Sequence, residues 1–538
     1  MSRRRIPATP EPARGPSPRQ ILNRLGFGIG PSDELARLAR DGLPAWLDAQ
    51  LAPPPGDDGE CLQRLGAARL RIRYDAGKAP GPEYPAVDEN RPLETLQAPI
   101  ETLWPRTDYK RPMAGSERFR PRAEVAAATL IRAVHSRWSL REVLADFWHN
   151  HFNVDASQIV QVAVALPAYD RDVIRAHALG NFREFLEAVA TSTAMLYYLN
   201  NRSSRAGAAN ENYARELFEL HTFGRGAYLN EFYNRWRDVP GALTGQPKGF
   251  IDQDVYEAAR AFTGWTVEDG SGLGGSDRLP ATGRFAYVDS WHDNYQKRVL
   301  ATEFDPFRPA LEDGRKVLDL VAAHPATARF VSGKLCRRLL GVEPSAGMLA
   351  AASETWRAAL RAPDQIARVV RTIVLSPEFA RSADLRVRRP LDLVAALVRG
   401  AGMDFVPTEG LVNEMAAAGQ RLFGWGAPTG HPEEVDYWLS SNGMRRRWLL
   451  VQGLIENRWG NGVVEVRPPT PASTWREAAD AWAEHLLGEA PGSTPVGQIL
   501  AGLRQDGATP FDPGKPAQAA QMRRVLGYLA MGPGFQRG

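Results

Sequence analysis

From Pro18 onward, apolar residues recur at the three- and four-residue spacing of an α-helix, and no other feature restricts the fold as strongly. Ile21, Leu22 and Leu25 open the pattern, and Leu35, Leu38, Leu43, Trp46 and Leu47 continue it. Such spacing puts the apolar side chains on one stripe, which must be buried against another element. The same periodicity predicts helices over 123–135, 168–179, 182–198, 209–223, 253–264, 312–322, 325–341, 346–361, 364–375, 390–401 and 409–421. Residues 443–538 read as a C-terminal subregion of further helices with loops. No repeat of fixed period is present, so a helical solenoid is not expected. The prediction is a mainly α fold, one large multi-helical body spanning residues 18–538.

Two stretches break the pattern. Residues 76–120 are rich in proline and charge and read as a long irregular insertion. Between 266 and 300 glycine and serine are dense and Phe285 alternates with Tyr287, which predicts at most a short β-hairpin, near 280–300, and little strand elsewhere.

An apolar fraction of 43% is ample for a large core. Lysine and arginine total 66 against 62 acidic residues, and Arg3, Arg4 and Arg5 account for much of the +4 excess. That balance argues against a nucleic-acid partner. The only two cysteines, Cys61 and Cys336, form no Cys-x-x-Cys pair and are expected to be buried free thiols. The three arginines are followed by Ile6-Pro7-Ala8-Thr9-Pro10-Glu11, whereas a signal peptide needs an apolar stretch of roughly 7–15 residues there. A cytoplasmic protein with a disordered tail over 1–17 is the expectation. No run of 18 apolar residues occurs, so no membrane span is expected.

Three segments concentrate reactive side chains. In the first, Ser139-Leu140-Arg141-Glu142 reads as a capping box opening a helix. Leu140, Val143, Leu144, Phe147 and His151 then share one stripe. His149 points away if the helix persists, and shares a face with His151 if the chain becomes extended after Trp148. This pair is the leading metal or acid–base candidate, since histidine both ligates metals and moves protons near neutral pH. The plainer alternative is a core His151 and a solvated His149.

In the second segment, Asn210 to Gly224, Tyr213, Leu217 and Leu220 form the buried stripe. Glu216 lies on one border of it and His221 on the other, while Glu211, Arg215 and Glu219 make an ion-pair ladder on the far side. A carboxylate beside an apolar stripe must be paired, protonated or bound to a metal, so Glu216 is either a partner of a neighbouring cation or a site residue. The third segment, Trp291-His292-Asp293-Asn294-Tyr295-Gln296-Lys297, offers a ligand, a base and a cation within one loop. His177 reads as a packed histidine and His324-Pro325 as a helix start. Gly-x-Ser-x-Gly, P-loop and His-Glu-x-x-His patterns are absent. Gly26-Phe27-Gly28-Ile29-Gly30 lacks the βαβ setting of a nucleotide loop.

These segments occur in order with Arg24-Leu25-Gly26-Phe27-Gly28, Phe147-Trp148-His149-Asn150-His151-Phe152, Ala178-Leu179-Gly180-Asn181-Phe182-Arg183 and Asn210-Glu211-Asn212-Tyr213-Ala214-Arg215-Glu216. Glu257-Ala258-Ala259-Arg260-Ala261-Phe262-Thr263-Gly264-Trp265, Lys334-Leu335-Cys336-Arg337-Arg338 and Ser376-Pro377-Glu378-Phe379 follow. From about Pro18 the chain resembles the bacterial family catalogued as domain of unknown function 1800. The resemblance carries no established activity or catalytic residues. It does imply a frequent genomic neighbour, a sulfatase-like protein of the family domain of unknown function 1501, and frequent export. The missing apolar leader departs from that last pattern.

Two functional readings follow. In one, the protein is a metal-dependent or acid–base enzyme. His149, His151, Glu216 and His292 would hold a divalent transition metal, and Glu216, His292, Asp293 and Lys297 would serve catalysis, with Arg215 orienting the substrate. In the other, the protein is non-catalytic and binds or matures a sulfatase-like partner, and the same residues are buried pairs fixing helix packing. Convergence of these side chains around an open cavity would favour the first, and separate private pairs the second.

Overall fold

Ser17 accepts a hydrogen bond from the Gln20 amide and caps helix α1, Pro18–Leu25, where proline occupies the first turn. The computed structural model describes residues 15–30, 32–78, 82–382 and 385–538, so most of the tail expected at 1–17 lies outside the described residues. Helix accounts for 56% of the structure and strand for 9%, all in two-stranded ribbons, so the protein is mainly α.

The ribbon β1–β2, Arg69–Tyr74 with Val87–Pro92, begins just before the proline- and charge-rich insertion and runs into it. Arg69-Leu70-Arg71-Ile72-Arg73-Tyr74 alternates polar with apolar, which is the period of a strand. Its partner Val87-Asp88-Glu89-Asn90-Arg91-Pro92 alternates in no such way, and the helical reading of the flanks hides the pair. Helices α2, Arg120–His135, and α3, Ser139–His151, follow. Trp138, not Ser139, is the N-cap residue of α3, and the expected capping box is not formed. Glu142 turns instead to Arg175, with Nη2 donating to Oε1 at 2.8 Å. Two buried guanidinium groups, Arg175 and Arg141, outcompete a backbone amide for that carboxylate.

Helix α4, Val160–Ala168, contains Pro167 and widens into a π-helical turn over Tyr169–Arg175. Proline lacks the N–H that an α-turn needs, and such wide turns gather at functional sites. Helix α5, Glu211–Glu216, widens in the same way over Leu217–Thr222. The hairpin expected near 280–300 starts earlier, as β3–β4, Trp265–Asp269 with Ala281–Tyr287, pairing Val267 with Phe285 and Trp265 with Tyr287. Short ribbons at 272–278 and 297–304 exceed the single hairpin expected. His324 caps α6, Pro325–Leu340, its Nδ1 accepting from the Ala326 amide. Cys61 and Cys336 are buried free thiols.

The apolar side chains form two large cores. One runs from Ile21 to Phe379, and the second is built by α7, Pro390–Gly400, with the C-terminal helices α8, Ser441–Ile455, α9, Trp475–Leu487, and α10, Pro516–Met531. Helix α2 belongs to both. Val125 and Ala128 face the first, while Ala126, Leu130 and Ala133, at i, i+4 and i+7, face the second. In α3, Leu140, Leu144 and Phe147 face the first core and Val143 the second. The C-terminal end of α3 therefore lies at the seam between the cores. Among the described residues no helix is long and apolar enough to cross a membrane.

Candidate functional site

Because α3 stays helical through His151, the two histidines of Phe147–Phe152 diverge. His151 enters the first core, stacked on Phe147, with Nε2 3.1 Å from the His221 carbonyl oxygen. Burial pushes its imidazole well below the usual range and takes His221 down to about 3. His149 turns instead into a cleft at the seam.

Its partner comes from the wide turn after α4. His149 Nε2 lies 3.0 Å from Asp170 Oδ1, and Arg132 Nη1 donates to Oδ2 at 3.0 Å. Behind them a buried ladder continues, with Arg132 bridging to Asp57, Asp57 to Arg175, and Arg175 to Glu142. Burial disfavours the charged form of Asp170. The hydrogen bond from His149 and the guanidinium groups of Arg132 and Arg175 outweigh it, and hold the carboxyl well below the usual carboxylate range. An ionised carboxylate only accepts, so Nε2 carries the proton in this contact, and in the neutral imidazole the lone pair is on Nδ1. Nδ1 meets no protein donor and is not sealed from solvent. Phe423, with ring centres 4.8 Å apart, and Tyr169, at 5.9 Å, hold the imidazole edge-on.

A strap over residues 420–438 roofs the cleft. Asn150 Nδ2 donates to the His431 carbonyl at 3.1 Å, and the His431 amide donates to Asn150 Oδ1 at 2.7 Å. Asn153 Nδ2 donates to the carbonyls of Trp425 and Ala427, both at 2.9 Å, and Tyr198 donates to that of Gly426 at 2.9 Å. Gly430 has φ +71°, and a Cβ there would stand 2.2 Å from the Asn150 carbonyl oxygen, so only glycine lets the strap approach so closely. The space beneath the strap is about 50 Å³, enough for a few water-sized groups, and Asp146, Asn153, Arg389, Gln420 and His431 line it beside the dyad. His431 is pushed down to about 4 by burial and by the Arg389 charge, and its Nε2 has no hydrogen-bond partner.

The other predicted residues lie elsewhere. His292 Nε2 is 3.3 Å from Asp313 Oδ2 and Nδ1 is 2.8 Å from the Thr263 carbonyl oxygen. Lys297 is wholly enclosed, donating to the same Asp313 oxygen at 2.7 Å and to the Tyr295 carbonyl at 2.9 Å. Asp293 takes two bonds from Arg260, at 2.8 and 3.0 Å. Each of these polar groups is spent on a neighbour. Glu216 is half-buried and makes no ion pair. Burial and then Glu219 raise its carboxyl, and Oε2 lacks a hydrogen-bond partner. The Glu211–Arg215–Glu219 ladder forms as expected, at 3.1 and 3.6 Å. The structure thus does not bring His149, His151, Glu216 and His292 together. Among the described residues no three His, Cys, Asp or Glu side chains are grouped to hold a metal ion.

Asp170, Arg389 and His431 were not singled out from the sequence. Asp170 carried a signal, because it stands between Leu166 and Ile174 at i, i+4, i+8 on the apolar stripe. A carboxylate there requires a buried partner. Arg389 and His431 carried none, since only the strap's course brings them to the cleft.

No curated protein and no solved structure matches this chain. The family model described as "Protein of unknown function (DUF1800)" matches residues 20–537, essentially the whole length, and the chain belongs to that family.

Proposed function

We propose that the protein is an enzyme in which His149, oriented by Asp170, acts as general base and then general acid. The accessible lone pair on Nδ1, opposite a charge-stabilised Asp170, carries the reading. Nδ1 takes a proton from water or a hydroxyl in the cleft, the imidazolium is stabilised by Asp170, and the proton passes on to a leaving group. Arg132 and Arg175 keep Asp170 ionised, while Tyr169 and Phe423 keep the ring from rotating. A cavity of about 50 Å³ beside such a base suits water as the reactant, which favours hydrolysis.

The test is a panel of chromogenic esters, phosphoesters and glycosides with the wild type, His149→Ala and Asp170→Asn. Turnover that survives His149→Ala unchanged ends the proposal. Nitrogen-15 spectra of the imidazoles provide a substrate-free check, since His149 should appear as the Nε2–H tautomer. Metal analysis of the purified protein, with His149→Ala alongside, decides whether the free nitrogen acts as a base or as a ligand to a divalent transition metal.

The non-catalytic alternative, a protein that acts with a sulfatase-like partner, draws on the second polar cluster. His292, Asp293 and Lys297 are all occupied by structural pairs. Co-purification with that partner, retained in His149→Ala, would support it.

A further inference from the structure

Arg389 is a cleft residue that the acid–base reading leaves without a task. It is the N-cap residue of α7, and its backbone amide donates to Asp392 Oδ2 at 3.0 Å. Its guanidinium makes no ion pair and no hydrogen bond; the Trp438 ring lies 5.6 Å away, and Arg338, Asp146, Glu433 and Asp392 act on it at longer range. The three carboxylates that act on it are already engaged. Asp146 is held by Arg338 at 2.9 Å, Asp392 by Arg386 and Arg338, and Glu433 by Arg337 at 3.2 Å and Lys334 at 3.5 Å. A guanidinium presents five N–H donors in a planar fork matched to carboxylate and phosphate. None of its nitrogens is sealed from solvent, so the half-buried fork is open to a ligand whose paired acceptors replace water there.

The setting suits such a ligand. Arg389 lines both the His149 cleft and an adjoining cavity of about 250 Å³. Buried His431, on the same cleft wall, offers a second donor with no protein partner at Nε2. The adjoining cavity shares Arg337 and Glu343 with an open groove of about 1190 Å³. On the groove wall Lys248 and Arg329 are exposed and pair with no carboxylate, while Arg337, Glu343 and Asp319 also line it. Unneutralised cations along a concave route raise the local concentration of anions.

We propose that Arg389 and His431 form an oxyanion-binding subsite, so that the substrate of the cleft is an anion whose carboxylate, phosphate or sulfate group is clamped there while the adjacent bond faces His149. The placement beside His149 rests on the acid–base reading, whereas the anion subsite itself does not.

Calorimetric titration of the full chain with inorganic phosphate, sulfate and acetate, at constant ionic strength, tests it and tells the oxyanions apart. At least one should bind saturably. Arg389→Gln should weaken that binding tenfold or more, Arg389→Lys by several-fold because charge without the fork remains, and Arg467→Gln, an exposed arginine outside these cavities, not at all. Binding that is absent for all three anions, or equal in Arg389→Gln and wild type, overturns the proposal. Circular dichroism checks folding, and Arg389→Lys serves as the reporter if Arg389→Gln unfolds. His149→Ala should keep the binding, which separates the subsite from the acid–base reading. In the wild type, the bound oxyanion should slow modification of His149 by diethyl pyrocarbonate. An oxyanion that binds at Arg389 and leaves that rate unchanged refutes the placement beside His149.

Discussion

His149 and His292 each rest Nε2 on a buried aspartate, yet the two sites differ in what is left over. At His292 the other nitrogen meets the Thr263 carbonyl, and Asp313 is shared with Lys297 and Arg308. At His149 the other nitrogen is free and faces a cavity. A His–Asp pair is therefore no signature of chemistry by itself. What separates a fastener from a reactive group is an unspent lone pair with access to solvent, and access comes from the seam between two cores.

The comparison can be broken most sharply at His149. His149→Gln should lower turnover on the order of 10² to 10⁴-fold while changing stability by less than about 1 kcal/mol. A large stability loss without loss of turnover would make the two histidines alike. Asp313→Ala should do the reverse. It strands the fully enclosed Lys297, and removing one partner of a buried ion pair costs about 3–5 kcal/mol. Urea unfolding should register that cost while activity per folded molecule holds.

A third class of histidine sharpens the contrast, being buried and without a side-chain hydrogen bond. His221 and His431 are held neutral, with values near 3 and 4, against an unfolded value near 6.5. Between those limits the unfolded chain binds more protons, so stability rises with pH there. It should be complete above about pH 6.5 and drain away as the pH falls toward 4. Asp170, whose folded value is also depressed, should add its loss only below about pH 4. His221→Phe should blunt the loss between pH 6.5 and 4, measured as thermal midpoint against pH, and an unchanged profile would contradict the assignment.

Smaller effects probe the roof and the surface. Gly430→Ala forces a Cβ against Asn150 at a positive φ and should cost about 1–3 kcal/mol. It should also speed modification of His149, because the strap must lift. Glu211→Gln, in the solvent-facing ladder, should cost under about 0.5 kcal/mol by the same unfolding assay.

The helical body was legible because its period is local. The segment predicted at 325–341 is observed at Pro325–Leu340, and that at 312–322 at Glu312–Ala323. Errors arose where a distant group competed. Ser139-Leu140-Arg141-Glu142 satisfies the capping pattern, but Arg175 claims the carboxylate. His149 was legible as a candidate, whereas the metal set joined it to His292, a residue that the fold gives to Asp313.

The sequence by itself determined the mainly α architecture, the family, the two free thiols and the histidine worth testing, because periodicity, composition and motif order are properties of neighbours along the chain. Tertiary structure alone decided that Asp170 orients His149, that the strap brings His431 and Arg389 to the same cleft, and that His292 is a fastener. Partners of buried polar groups are chosen by desolvation and Coulomb energy across the packed interior, and nothing in the spacing of one segment records where another segment will pass.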